Sequence, residues 1–280
     1  MAIRMICFDM DGTLLTYDKR ITEKTLAVLR KAGQMGYLLV PATGRLPRAL
    51  DSRLQEIPGV RYAICINGAL VYDYQEDKVL YRAEIPFETA RRAFAYLDTL
   101  PVVYDCFGDD VRYCGEEHAN RMKDFIPDPH IYSMVRKTMV CVPQLGSFLD
   151  KRGGTLQKIQ AYFQDNQLRL DTVSALQEKF PELSVTTSLP YNCELNDSHA
   201  NKGEALEHLC AHLGMDLGET MAFGDGANDL TMIQRAGLGI VMENGLQELK
   251  DHADAFTESN DRDGVARAIC RYCGIDWDSV

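Results

Sequence analysis

The segment Met5-Ile6-Cys7-Phe8-Asp9-Met10-Asp11-Gly12-Thr13-Leu14-Leu15 constrains this chain more than any other stretch. Its apolar start, Met5 to Phe8, shows no polar alternation, which predicts a short strand buried on both faces. Such a strand needs a parallel sheet with helices on either side. In open parallel sheets ligands bind beyond the carboxyl ends of the strands, which puts Asp9 and Asp11 at the mouth of a site. Gly12 lets the backbone bend and approach a ligand. Two acids this close repel each other unless a cation or a shared proton lies between them.

The rest of the chain repeats the strand-then-helix rhythm. Leu26, Leu29 and Ala32 predict a helix over 22–36, and Tyr37 to Val40 a second buried strand ending at Pro41-Ala42-Thr43-Gly44-Arg45. A helix is expected from Pro47 to Gln55, and a third strand over 61–66 runs into the turn signal Asn67-Gly68. Two further short strands follow, around Leu70 and Val79. Near Ile85-Pro86 the pattern changes to mixed helices and strands: a helix over 87–100, strands at 102–107 and 111–113, and a helix over 116–125. A Pro-rich break at 126–129 precedes strands at 139–142 and 156–163, a helix over 166–179 and a strand at 184–188. The parallel-sheet rhythm then resumes with a helix opened by Asn201, three residues before Glu204. A strand at 220–223 ends in Gly224-Asp225-Gly226-Ala227-Asn228-Asp229; a helix (230–235), a strand (238–242) and a last helix (265–273) follow.

This organisation predicts an α/β fold, a doubly wound Rossmann-like parallel-sheet core interrupted by an α+β module. The core would comprise residues 1–84 and 189–280, and the insert residues 85–188. A length of 280 residues suits two domains. The net charge of -11 argues against nucleic acid or an anionic membrane as partner. Nine scattered cysteines, several inside apolar runs, suggest reduced thiols. Acids arrive too early for a signal peptide and no apolar stretch is long enough to span a bilayer, so the expected location is cytoplasmic.

Polar groups gather at strand ends and helix starts: Asp9 and Asp11, Thr43 with Gly44, Lys202, and Asp225 with Asn228 and Asp229. Together they offer carboxylates for a hard cation, a hydroxyl and an ammonium for anionic oxygens, and glycine turns. Phosphoryl transfer needs these parts, since its catalysis is mostly positioning and charge neutralisation. Lys202 at a helix start opposes the helix dipole, which favours a functional reason for it.

The chain resembles the haloacid dehalogenase-like hydrolases, specifically the Cof-type phosphatases with an inserted type IIB cap. The matching stretches are 8–15 (Phe-Asp-Met-Asp-Gly-Thr-Leu-Leu), 42–45 (Ala-Thr-Gly-Arg), 67–69 (Asn-Gly-Ala), 201–203 (Asn-Lys-Gly) and 224–229, with a similar tail at 259–266. The resemblance implies a Mg²⁺-dependent phosphatase acting on a small phosphorylated metabolite, a sugar phosphate or a phosphorylated cofactor. Asp9 would be the nucleophile that becomes an aspartyl-phosphate, and Asp11 the general acid and then base. Thr43, Gly44, Lys202 and Asn228 would hold the phosphoryl group. Asp9, the main-chain oxygen of Asp11, Asp225, Asn228 and Asp229 would surround the metal, and the cap would close over the substrate. A sugar phosphomutase on the same scaffold is the alternative enzyme, and a non-catalytic phosphometabolite-binding protein the alternative of another kind.

Blander readings apply elsewhere. Asn67 suits a plain turn, Arg45 and Arg48 structural ion pairs, and His208 with His212 one helix face without a zinc site's acid. In the insert Tyr104, Asp105 and Arg112, and just past its end Asn192, are polar enough to touch a substrate, and the sequence does not rank them.

Overall fold

Met5–Asp9 forms β1, buried at every position. The computed structural model describes residues 2–109 and 111–280. α1 (Glu23–Gln34) is capped by Thr22, whose side chain accepts from the Thr25 amide, and buries Leu26, Val28, Leu29 and Ala32. β2 is Leu38–Ala42. Where one helix was expected, a 3₁₀ turn (Pro47–Ala49) and the short α2 (Ser52–Gln55) stand apart. Extended backbone at Leu50 separates them, and Asp51 caps the second by accepting from the Arg53 amide. β3 (Tyr62–Cys65), β4 (Leu70–Asp73) and β5 (Lys78–Arg82) form an antiparallel ribbon.

The next elements are α3 (Phe87–Leu97), β6 (Val103–Gly108), β7 (Val111–Gly115), α4 (Glu116–Arg121) and α5 (Pro129–Thr138). β8 (Met139–Val142), α6 (Leu145–Arg152), β9 (Lys158–Tyr162), α7 (Asn166–Lys179), β10 (Leu183–Thr186) and β11 (Asn192–Asp197) complete this part. α5 begins inside the Pro-rich stretch that reads as a break. Asp128 caps it and Pro129 takes the first turn, where a missing N–H costs nothing. The six strands form one sheet in the order β10-β11-β9-β6-β7-β8, antiparallel except for β7 with β8.

α8 (Lys202–Leu213), β12 (Thr220–Gly224), α9 (Leu230–Arg235), β13 (Leu238–Met242), α10 (Gln247–Lys250), β14 (Ala255–Thr257) and α11 (Gly264–Cys273) follow. They return to the first sheet, whose order is β14-β13-β12-β1-β2-β3-β4-β5. The strands from β14 through β3 are parallel. The chain therefore makes two units, one from the residues up to Arg82 and from Asn201 onward, the other from Ala83–Ala200.

β1 explains why the first sheet is covered on both faces. Ile6 and Phe8 join a core with Leu26 and Leu29 of α1 and Ala266 and Ile269 of α11. Met5 and Cys7 point the other way, into a core with Leu206 and Leu209 of α8 and Met232 of α9. Each fully buried aliphatic or aromatic side chain contributes about 1.5–3 kcal/mol, so β1 helps hold together both layers. All nine cysteines are free, and Cys141 is the exposed one. Cys270 and Cys273 pack in the core that lies under α1 and α11. Among the described residues no helix is long and apolar enough to cross a membrane.

Candidate active site

Strand register assembles the site. Asp9 ends β1 opposite Ala42, so Thr43 leaves β2 beside it. On the other side Phe8 pairs with Phe223, which brings Asp225 alongside Asp9 just past β12. Lys202 is the first residue of α8, whose Asn201 cap accepts from the Glu204 amide at 2.9 Å. The Asn67-Gly68 turn packs on that helix start. A Cβ on Gly68 (φ +99°) would lie 2.2 Å from the Asn201 carbonyl.

Lys202 is completely buried and bridges two carboxylates. Its Nζ donates to Asp9 Oδ1 at 2.5 Å and to Asp229 Oδ1 at 2.6 Å. Asp229, also completely buried, accepts on Oδ2 from the amides of Asp225 and Gly226, both at 3.0 Å. Its two oxygens thus tie the lysine to the turn after β12. Thr13 Oγ1 donates to Asp225 Oδ1 at 2.7 Å. A Cβ at Gly12 (φ +97°) would lie 2.3 Å from Asp225 Oδ2, so this backbone approach requires glycine.

Burial pushes the Asp9 carboxyl up to about 8; Lys202 opposes this, while the charges of Asp229 and Asp225 add to it. Burial also raises Asp225, to about 6, against the hydrogen bond from Thr13. For Lys202 burial acts downward, but Asp229 and Asp9 outweigh it and hold the ammonium above its ordinary value. Three carboxylates therefore face one ammonium, with Asp9 and Asp229 buried and Asp225 half-buried.

Asp11 is placed differently. Its carboxylate is 40% exposed and pairs with Arg45 Nη2 at 2.8 Å and with Lys19 Nζ at 2.9 Å. Although burial raises it, these two cations win and hold it below its ordinary value. Arg45 thus makes the ion pair that its sequence position suggested, and its partner is the second acid of the motif. Thr43 is buried, with Oγ1 accepting from the Arg45 amide at 3.2 Å. Gly44 faces Asn67, whose Oδ1 would be 2.8 Å from an added Cβ. Asn228 Nδ2 in turn donates to Asn67 Oδ1 at 3.5 Å. Asn67 sits in the left-handed region at φ 57°.

Three residues that sequence reasoning left without a role pin the loop after β1. Besides Thr13, Asn244 Nδ2 donates to the Gly12 carbonyl at 2.8 Å and Asn260 Nδ2 to the Leu15 carbonyl at 2.8 Å. The Asn260 amide also donates to Asn244 Oδ1 at 3.0 Å. Asn260 lies in the matching tail at 259–266, which gave it no role, and no local motif marks Asn244. Their partners are main-chain carbonyls more than 200 residues away, as the separations of 232 and 245 show.

Comparison with known proteins bears directly on this arrangement. A family model described as haloacid dehalogenase-like hydrolase matches residues 6–269. The chain belongs to that family. It is an enzyme of the phosphatase type. A putative phosphatase of Bacillus subtilis, YkrA, is 29% identical to this hydrolase over 272 residues, covering 96% of this chain and 97% of the relative. The 5-amino-6-(5-phospho-D-ribitylamino)uracil phosphatase YcsE of Bacillus subtilis is 28% identical, covering 95% and 94%. A crystal structure of a haloacid dehalogenase-like hydrolase from Bacteroides thetaiotaomicron superposes with a TM-score of 0.81 at 26% identity, covering 96% of this chain and 99% of that one.

The hydrolase's acidic site suits a hard divalent cation. Ligand atoms of Asp9, Asp225 and Asp229 lie within 4.8 Å of one another, and all are oxygens. Asp229 is the least available of the three, since both of its oxygens already accept hydrogen bonds. Asp9 and Asp225 each keep an oxygen beyond the bonds to Lys202 and Thr13.

Proposed function

We propose that this hydrolase is a Mg²⁺-dependent phosphomonoesterase for a small phosphorylated metabolite, with Asp9 as nucleophile. The observation that carries the reading is the buried bridge from Lys202 to Asp9 and Asp229 at the carboxyl ends of β1 and β12, with Asp225 alongside. One ammonium cannot neutralise two buried carboxylates and the half-buried Asp225 beside them, and a divalent cation would complete the balance. Asp9, Asp225 and the main-chain oxygen of Asp11 would hold it. When bound, Mg²⁺ neutralises the carboxylates and the phosphoryl oxygens.

In this reading an Asp9 oxygen bonds to phosphorus while the ester P–O bond breaks, and the leaving alkoxide takes a proton from Asp11. A water then attacks the aspartyl-phosphate, Asp11 accepts its proton, and phosphate leaves with Asp9 restored. Lys202 orients Asp9 and neutralises it. Thr43, Gly44 and Asn228 bind the phosphoryl oxygens. Arg45 and Lys19 hold Asp11 as a carboxylate, the form that the second step needs. The first step needs Asp11 protonated, which requires those ion pairs to open. A relative that acts on a ribityl phosphate supports a phosphorylated polyol or sugar as substrate.

The decisive experiment is a phosphate-release screen over many phosphate esters, with Mg²⁺ and with chelator. Release from at least one sugar or polyol phosphate, lost on chelation, is the expected result. An isomeric phosphate ester in place of free phosphate would indicate a mutase, and ligand binding without turnover a regulatory protein. Asp11→Asn is expected to form the phosphoenzyme and clear it about 100-fold or more slowly, read by acid quench with radiolabelled substrate. Turnover at the native rate would remove Asp11 from the mechanism.

A pH dependence follows from the raised carboxyls. Their folded values, about 8 for Asp9 and about 6 for Asp225, exceed the ordinary 3.8, so the folded state holds protons that the unfolded chain releases. Their contribution to stability is complete below 3.8 and is lost as pH rises through 6 and 8. A divalent cation held by Asp9 and Asp225 would take the place of those protons. Thermal melting is therefore expected to show a larger Mg²⁺ stabilisation at pH 8 than at pH 6; the reverse order would refute the assignment of these carboxyls to the metal.

A further inference from the structure

Of the nine cysteines Cys141 alone is exposed, although a free cysteine is usually among the most buried of residues. It lies on β8, the edge strand of the second unit's sheet, which has β7 as its one neighbour there. The two strands run parallel, and Cys141 stands in register with Cys114 of β7. Residues in register on adjacent strands leave the sheet on the same face, so the two thiols are side by side.

Their surroundings differ. Cys114 is buried in a core with Val103, Ala119, Met122 and Tyr162. Its Sγ donates to the carbonyls of Tyr104 and Gly115, each at 3.4 Å. Burial pushes this thiol up, so it keeps its proton, and both the Cys141 sulfur and the Arg136 guanidinium are close enough to act on it. Cys141 meets a cation directly. Arg136, in the last turn of α5, donates from Nη1 to Cys141 Sγ at 3.2 Å and to Met139 Sδ at 3.4 Å. A cation beside a cysteine sulfur favours the anion, which is the form that attacks an oxidant.

The backbone suits a bridge. Adjacent strands lie about 4.8 Å apart, inside the range of about 4.4–6.8 Å that a disulfide spans between Cα atoms. Closure asks the Cys114 side chain to leave its carbonyls by one step between staggered χ1 wells, about 120°. We propose that Cys141, Cys114 and Arg136 form a hydroperoxide-reactive dithiol site that closes into a disulfide between β7 and β8. The Cys141 thiolate attacks a peroxide oxygen, the O–O bond breaks, and hydroxide leaves, taking up the proton that the thiol gave up. The sulfur is oxidised to a sulfenic acid and the peroxide is reduced. The Cys114 sulfur then bonds to the Cys141 sulfur, the S–O bond breaks, and water leaves with the Cys114 proton. Reduction by a dithiol restores both cysteines. None of this depends on the phosphatase reading.

The test treats the reduced full-length protein with hydrogen peroxide, blocks the remaining thiols with N-ethylmaleimide and maps the peptides by mass spectrometry. Cys141 is expected to react at least about tenfold faster than any other cysteine. The product is a peptide pair joining Cys114 to Cys141, lighter by two hydrogens and released by dithiothreitol. In Cys114→Ser the reaction should stop at a sulfenic acid that dimedone traps, and in Cys141→Ser Cys114 should stay reduced. Arg136→Gln should slow the loss of the Cys141 thiol at least about threefold, with part of the rate restored by Arg136→Lys; an unchanged rate in Arg136→Gln overturns the arginine's part. If Cys114 is alkylated in full while Cys141 goes on to sulfinic acid or joins a second molecule, the dithiol site is overturned. A Cys141 no faster than the buried thiols overturns it as well. Where a variant does not melt cooperatively, the wild-type rates and peptide map decide.

Discussion

Asp9→Asn is expected to release no measurable phosphate, a loss of at least about 10⁴-fold, while the protein folds and still binds its ester. The amide has nearly the shape of the carboxylate, so β1 keeps its register with Ala42. What it lacks is an anionic oxygen able to bond to phosphorus. The bridge also weakens, because Lys202 then holds one carboxylate, that of Asp229, at 2.6 Å. Stopped-flow and single-turnover assays should therefore show binding without a phosphoenzyme. A variant that turned over at the native rate would show that another group attacks phosphorus.

Lys202→Met should be nearly as damaging, for a different reason. Methionine has a similar volume but leaves Asp9 and Asp229 buried without their shared cation. Breaking a buried charge pair by removing one partner costs about 3–5 kcal/mol, and orientation of the nucleophile is lost as well. Urea denaturation in chelator should show this deficit at pH 7. At pH 5 the deficit should shrink, since Asp9 is already raised in the native protein and losing the ammonium raises it further. An equal deficit at both pH values would mean that Lys202 stabilises the fold by packing rather than by charge.

How much of this was legible in the sequence depends on whether a residue's role is local. β1, α1 and α8 follow from apolar spacing and from caps within three residues, and Thr22 and Asn201 do what such caps do. The acids of the first motif and of 224–229 stand at the ends of buried strands, so their convergence follows from a parallel sheet. Other features depend on distant partners. β11 alternates Asn192, Glu194 and Asn196 with Cys193 and Leu195, but its polar residues are buried too and outnumber the apolar ones, so the segment reads as loop. The α5 start at Asp128-Pro129 looks like a break because proline both ends and begins helices. Asn244 and Asn260 act on the loop after β1 from the far end of the chain. The ion pairs of Asp11 with Lys19 and Arg45 depend on rotamers that no spacing rule specifies.

The central place of β1 has a consequence for synthesis. β1 lies between β2 and β12 in the finished sheet and is made well before β12, and Asp9 meets its ammonium 193 residues later. At about 5–20 residues per second, a nascent chain carries that apolar strand half-paired for about 10–40 s. Meanwhile the contiguous residues from Ala83 to Ala200 emerge with every strand of their own sheet. A chain halted before Lys202 would thus hold the motif's two acids with one edge of their strand bare, an aggregation hazard with no catalytic capacity.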